Sequence, residues 1–335
     1  MIVKGGLHEQ VAELFCDYFK GLFSTSNPSH IEEVLATIPQ VVSDSMNSDL
    51  MKIFSRQEVD VALKSMAPLK ASGPDGMPPI FFQHYWDSIG DDVSCAVLSY
   101  LNTSIIPASL NQTFITLIPK SKSPEKVSEF RPIALCNILY KLISKVLANR
   151  LKSLLPHVIS ESQSAFQPDK AISYNILVAY ETLHHMKTKK TGKVGYMALK
   201  LDMSKAYDWV EWIFLEKLML KMGFHDNWVR MVMETVRIVS YSILINGSPR
   251  GFIKLTRGIQ QGDSLSPFLF LLVSEGLNGL IKKSVAVGDL QGFSLCKYGP
   301  QISHLFFADD SVIFCRAKMG DVQALQLALT LYEKA

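Results

Sequence analysis

Charge is scarce in this sequence. Asp, Glu, Lys and Arg make up 19% of the 335 residues, against roughly 25% in an average globular chain. The hydrophobic share, 48%, is ordinary, and the length suffices for two domains or one large multi-lobed unit with a substantial core. A net charge of +3 excludes nothing by itself. Cysteine is also sparse: Cys16, Cys95, Cys136, Cys296 and Cys315 are odd in number and widely spaced. That excludes a disulfide framework or a zinc site and predicts buried free thiols with no disulfide partner. The histidines lack metal-ligand spacing. No signal peptide is visible, and apolar runs such as Pro267 to Val273 are too short to span a bilayer. The expectation is an intracellular, nuclear or cytoplasmic chain with no membrane partner. No internal repeat or low-complexity tract is present.

The charge that is there is unevenly placed. Residues 1–60 carry four Lys/Arg against nine Asp/Glu, residues 117–152 carry eight against two, and residues 187–205 carry six against one. Two basic segments in a nearly neutral chain suit a surface that follows a phosphate backbone, although solvated helix faces would look the same.

Periodicity predicts an amphipathic helix over 7–23 and a helix from the capping box Ser55-Arg-Gln-Glu58 to about Met66. A Gly/Pro loop follows at 70–79, then an aromatic helix at 80–86, a strand at 113–118 and a basic loop at 119–129. Helices are predicted over 139–155, with Lys141, Lys145 and Lys152 along one side, and over 172–187. Ser160-Glu-Ser-Gln163 reads as a second capping box. A strand over 196–201 ends at Asp202, and helices follow at 209–222 and 226–238. Strands 241–246 and 251–256 flank an Asn246-Gly247 hairpin signal. Ser266 and Pro267 read as N-cap and first residue of an apolar helix. A hairpin near 290–307 and a last helix from about Gly320 complete the chain.

The chemistry concentrates near the C-terminal end, where apolar runs 305–308 and 312–315 flank Asp309-Asp310. Two carboxylates at a hairpin tip repel each other unless a cation lies between them, so a divalent metal is the economical reason for the pair. Asp202, at a strand end, supplies a third. Asp208 has a competing explanation as the N-cap of Asp208-Trp-Val-Glu211. Three carboxylates sharing two cations can activate an attacking 3′ oxygen and stabilise a leaving pyrophosphate, and Mg²⁺ suits such a site. The glycine-punctuated loop from Arg257 to Ser266 lets backbone approach a nucleotide closely. Lys120 and Arg131 flank a loop that could close over a triphosphate.

Together these segments resemble a reverse transcriptase, and more closely the polymerase region of a plant LINE-type, non-LTR retrotransposon. The resemblance covers essentially the whole chain: Ser72-Gly-Pro-Asp-Gly76, Leu117-Ile-Pro-Lys120, Phe130-Arg-Pro-Ile-Ala-Leu135, Ser160-Glu-Ser-Gln-Ser-Ala-Phe166, Leu201-Asp-Met-Ser-Lys-Ala-Tyr-Asp208, Gln261-Gly-Asp263 and Phe307-Ala-Asp-Asp310. It implies Asp202, Asp309 and Asp310 as catalytic carboxylates, with the Met203 carbonyl completing the metal set for two Mg²⁺ ions (Mn²⁺ as an alternative). It further implies Tyr207 as a steric gate against the ribose 2′-OH, Gln261 and Gly262 beneath the incoming nucleotide, and Lys120 and Arg131 on its triphosphate. The sequence departs from the family where Gln260 replaces an Arg, Ser264 a Pro and Trp209 an Arg. It departs again at Pro168-Asp-Lys170, where Pro-Gly-Arg is usual, and at Tyr174-Asn175, where Asp-Asn is usual.

The fold expected is α+β: an N-terminal helical segment (1–59), fingers (60–190) and a palm (191–335) truncated before the thumb. The palm would be a small antiparallel sheet with helices on one face. The function expected is RNA-directed DNA synthesis, with an RNA template, a DNA primer and dNTPs as partners and salt-sensitive binding. The alternatives are a catalytically weak RNA-binding remnant, an RNA-copying polymerase (which Tyr207 argues against) and a maturase-like splicing cofactor.

Overall fold

The structure, a computed structural model, describes residues 8–168, 170–171, 173–189, 194–296 and 299–335. Leu7 of the first predicted helix, Asp169, and residues 190–193 of the second basic segment lie outside the described residues. Six helices come first: α1 (His8–Leu22), α2 (Ile31–Leu35), α3 (Asp44–Leu50), α4 (Arg56–Lys64), α5 (Pro79–His84) and α6 (Trp86–Thr103). Strands β1 (Gln112–Pro119) and β2 (Phe130–Leu135) lead into helices α7 (Ile138–Val158) and α8 (Ser173–Thr188). Then come β3 (Tyr196–Asp202), α9 (Trp212–Met222), α10 (Asp226–Arg237), β4 (Ser240–Ile245), β5 (Ser248–Lys254) and α11 (Ser266–Ala286). Short strands β6 (Phe293–Ser294) and β7 (Gln301–Ile302), the pair β8 (His304–Phe307) and β9 (Asp310–Arg316), and α12 (Met319–Glu333) finish the chain.

Local chemistry explains several boundaries. Glu58 accepts the Ser55 amide at 2.8 Å, so the capping box opens α4. Asn246 and Gly247 both take positive φ, 51° and 80°, which a two-residue turn between β4 and β5 requires. Helix α11 is apolar on nearly all sides and is buried accordingly from Leu269 to Ile281. It forms the main core with α7, α9 and α10, where Leu147, Leu218, Trp228 and Leu272 are fully enclosed.

Two sheets matter for the site. One runs β2-β1-β4-β5, with β1 and β4 parallel, and α1 lies on it through Phe15, Phe19 and Leu22. It therefore joins strands from both sides of residue 190. The other is the antiparallel β3-β9-β8. Alternation splits its side chains. Phe306, Ile313 and Cys315 pack with Leu277, Ile281 and Leu325 of α11 and α12, and Leu305 and Phe314 face Val178 and Ala179 of α8. Helices thus cover one face as expected, while α8 covers part of the second.

Three local readings are corrected by tertiary contacts. Residues 160–167 form turns, not a helix start. Lys141 is buried, and its Nζ donates to the Ala71 carbonyl at 2.6 Å instead of facing solvent. Helix α9 starts at Trp212 with Glu211 as its N-cap, leaving Asp208 outside the helix. All five cysteines are free thiols, but only Cys136 and Cys315 are buried as expected, while Cys95 and Cys296 are exposed. Among the described residues no helix is long and apolar enough to cross a membrane.

Candidate active site

The acidic turn is shaped by its neighbours. Phe307 pairs with Asp310, so Ala308 and Asp309 form the tip, and Ala308 adopts a left-handed φ of 52°. That conformation is uncommon for alanine and is held from outside. The buried Gln163 accepts the Ala308 amide at 3.1 Å and the Ala165 amide at 3.0 Å. Asn175 donates to the Phe306 carbonyl at 2.8 Å, and Phe306 in turn donates its amide to the Ser162 carbonyl at 2.8 Å. Gln163 and Asn175 are buttresses that sequence reasoning missed. The Ser-x-x-Gln spacing suggested a helix cap, and the family segments that contain Gln163 and Asn175 assigned neither a role.

Strand pairing brings the carboxylates onto neighbouring strand ends. Asp202 sits directly opposite Asp310, and the Met203 amide donates to the Asp309 carbonyl at 3.2 Å. Direct cross-strand partners have Cβ atoms about 5 Å apart. Asp202 and Asp309 are exposed, and Asp310 pairs with Lys200 at 3.1 Å in a solvent-accessible bridge. The Met203 carbonyl accepts from the Ala206 amide at 3.2 Å, which leaves one lone pair available. Among the described residues no group of three or more His, Cys, Asp or Glu side chains is placed to hold a metal ion. The donors present, carboxylate and carbonyl oxygens open to solvent, are of the type that a hard divalent cation such as Mg²⁺ or Mn²⁺ takes.

A cleft of about 410 Å³ adjoins this turn. Seven expected residues line it, namely Lys120, Arg131, Met203, Tyr207, Gln261, Gly262 and Asp309. Asp202 lines a separate hollow with Trp209 and Tyr332, and Asp310 lines neither. Lys120 and Arg131 reach the cleft from the β1–β2 hairpin, where Arg131 pairs with Ile118 and the Lys120 Nζ donates to the Ser128 carbonyl at 3.1 Å. The Tyr207 ring lies nearly parallel to Phe270, with centroids 5.3 Å apart, and burial followed by the Asp309 charge pushes its phenol up to about 12. Gln261 is tied to β2 through its carbonyl, which accepts the Ala134 amide at 3.1 Å. Gly262 takes a φ of 101°, and its carbonyl accepts Lys70 Nζ at 2.8 Å.

Helix α1 supplies part of the wall through Tyr18, Phe19 and Leu22, and Lys205 contacts the Tyr18 hydroxyl across it. No sequence signal linked residue 18 to residue 205. The amphipathic pattern of α1 showed only that one face would be covered.

The site accords with the comparison to known proteins. The profile of the family described as Reverse transcriptase (RNA-dependent DNA polymerase) matches residues 118–334. The chain belongs to the reverse transcriptase family. It is similar to the Transposon TX1 uncharacterized 149 kDa protein of Xenopus laevis, 27% identical over 98% of this chain and 24% of that protein. It is also similar to the Pol polyprotein from type-2 retrotransposable element R2DM of Drosophila melanogaster, 26% identical over 92% of this chain and 27% of that one. The chain therefore spans about a quarter of the length of these relatives. A 68-residue stretch is 46% identical to an uncharacterized mitochondrial protein of Arabidopsis thaliana, covering 20% of this chain and 56% of that protein.

One departure from the reverse transcriptase pattern acquires a physical setting. Gln260, where an Arg is usual, is buried and donates to Asn111 Oδ1 and Thr113 Oγ1, each at 3.0 Å. The pocket satisfies only the NH₂ end of this amide, and Gln260 Oε1 is buried without a hydrogen-bond partner. Trp209 is about half exposed, with Arg257 5.9 Å from its ring.

Proposed function

We propose that this chain forms the fingers (about 60–190) and palm (191–335) of an RNA-directed DNA polymerase from a non-LTR, LINE-type retrotransposon, acting by two-metal nucleotidyl transfer. Its partners would be an RNA template, a DNA primer and dNTPs. The 68-residue match in Arabidopsis thaliana supports a plant source. The observation that carries the reading is the single cleft in which two cations, a stacked tyrosine, a glutamine–glycine turn and an aspartate from four separate chain segments face one another.

The cleft residues have parts that their positions support, whereas Asp202 and Asp310 enter through strand pairing alone. Lys120 and Arg131 would grip the triphosphate from the hairpin, Arg131 bidentately and Lys120 as a point charge. Tyr207, braced against Phe270, would fill the space that a ribose 2′-OH needs. Gln261 and the left-handed Gly262 would form the seat of the incoming nucleotide. Asp202 and Asp309, with Asp310 beside them and the Met203 carbonyl, would hold the divalent ions. Bound there, such ions supply charge neutralisation and activation of the primer 3′ oxygen.

Primer extension on poly(rA)/oligo(dT) with Mg²⁺ tests the proposal. The wild-type chain should extend the primer and Asp309→Ala should not. Equal background from the two proteins would refute copying and leave a remnant that only binds RNA.

A further inference from the structure

Asp208 stands at the cleft with no part in the chemistry above. Its side chain is buried, and its Oδ1 accepts a hydrogen bond from Gln261 Nε2 at 3.1 Å across 53 residues of sequence. A buried carboxylate is costly, and burial pushes this one up to about 6 despite the Gln261 bond and the nearby Lys205, Lys120 and Arg257. Knitting the two segments together does not explain that cost, because the backbone already does it. The Ile259 amide donates to the Tyr207 carbonyl at 2.9 Å and the Gly258 amide to the Val210 carbonyl at 2.8 Å. The Trp212 indole adds a bond to the Gly258 carbonyl at 2.8 Å.

What the carboxylate adds is direction. An amide side chain has a donating end and an accepting end of nearly the same shape, and in a polar cleft either can face inward. An ionised carboxylate only accepts, so it holds the NH₂ end of Gln261 toward itself and fixes which end a ligand meets. We infer that Asp208 is a positioning residue that sets the orientation of the Gln261 amide for the incoming nucleotide. This rests on the reading of the cleft as a dNTP site.

The test combines Asp208→Asn, Gln261→Ala and the double variant. The readouts are KM and kcat for dTTP in primer extension, direct titration with a fluorescent mant-dNTP, and thermal melting. Asparagine keeps the shape but can donate or accept, so the enforced orientation is lost. With the two amide orientations equally favoured, the competent fraction falls to about one half, so KM and the mant-dNTP Kd should rise about 2-fold in Asp208→Asn, with kcat much less affected. In the Gln261→Ala background the same substitution should change neither, since there is no amide left to orient. Penalties that multiply independently, or an unchanged nucleotide affinity in a folded Asp208→Asn chain, would overturn the inference while leaving the polymerase reading intact. A wild-type chain that neither extends primers nor binds the mant-dNTP would overturn the cleft reading, and the inference with it.

Discussion

Arg150 offers a quantitative test of how α7 holds the segment leading into α4. It projects from α7 into the segment preceding α4 and is only 10% exposed. Its Nε and Nη2 donate to Glu58 at 2.6 and 3.0 Å, and other bonds reach the carbonyls of Leu50, Lys52 and Ile53. The guanidinium also lies 3.5 Å over the Phe54 ring. Removing one partner of a buried pair costs about 3–5 kcal/mol. Glu58 keeps 31% of its side chain exposed, which places Arg150→Ala near the lower end, about 3 kcal/mol. Unfolding entropy for a chain of 335 residues is about 0.7 kcal/mol/K, so the melting temperature should fall by about 4 °C. Lysine offers one compact ammonium for five contacts with a planar fork, so Arg150→Lys should recover less than half of the loss. The pH dependence has a definite sign. Burial raises the Glu58 carboxyl, but the Arg150 and Ser55 bonds outweigh it and hold the group below its usual 4.5. Its contribution is therefore present above pH 4.5 and is lost as pH falls through the depressed value. Calorimetry should show the wild-type advantage over Arg150→Ala shrinking below that pH. A full rescue by lysine, or a difference that persists unchanged into acid, would refute the clamp.

At the site, Tyr207→Phe should keep discrimination against rNTPs because the stacked ring remains, whereas Tyr207→Ala should raise rNTP incorporation. Extension with rNTPs alone measures both. Burial raises Asp208 from 3.8 to about 6, so the wild-type chain should lose about 3 kcal/mol relative to Asp208→Asn as pH rises through that window, read as a growing melting-temperature gap in favour of the variant. A Cβ added at Gly73 would lie 2.4 Å from the Cys136 carbonyl carbon and 2.5 Å from the Asn137 amide nitrogen, both backbone atoms. Gly73→Ala should therefore displace the 70–79 loop and cost about 1–3 kcal/mol by thermal melting.

Elements whose signals are local were legible in the sequence. The Ser55–Glu58 box opens α4, Asn246-Gly247 turns β4 into β5, and β3 ends at Asp202. The readings that failed used the same kind of signal. Asp208-Trp-Val-Glu211 has the spacing of a capping box, yet Asp208 turns to Gln261 and Glu211 stands at the N-cap position of α9 without a side-chain bond to the helix. Glu211 also accepts bonds from Thr25 and Ser26, partners that no three-residue pattern can reveal. Ser160-Glu-Ser-Gln163 fails likewise, because Gln163 serves a turn 145 residues away. A side-chain oxygen satisfies a local or a distant amide equally well, and burial decides between them.

By itself, the sequence determined which residues could do chemistry and the order in which the family's segments occur, because residue type and short spacing are written directly in it. The tertiary structure alone decided that the β1–β2 hairpin, α1, the Tyr207 segment and the Gln261 turn enclose one cleft, while Asp202 opens onto the hollow beside it. That outcome depends on packing between segments tens to hundreds of residues apart, whose energy comes from shared buried surface and not from any local pattern.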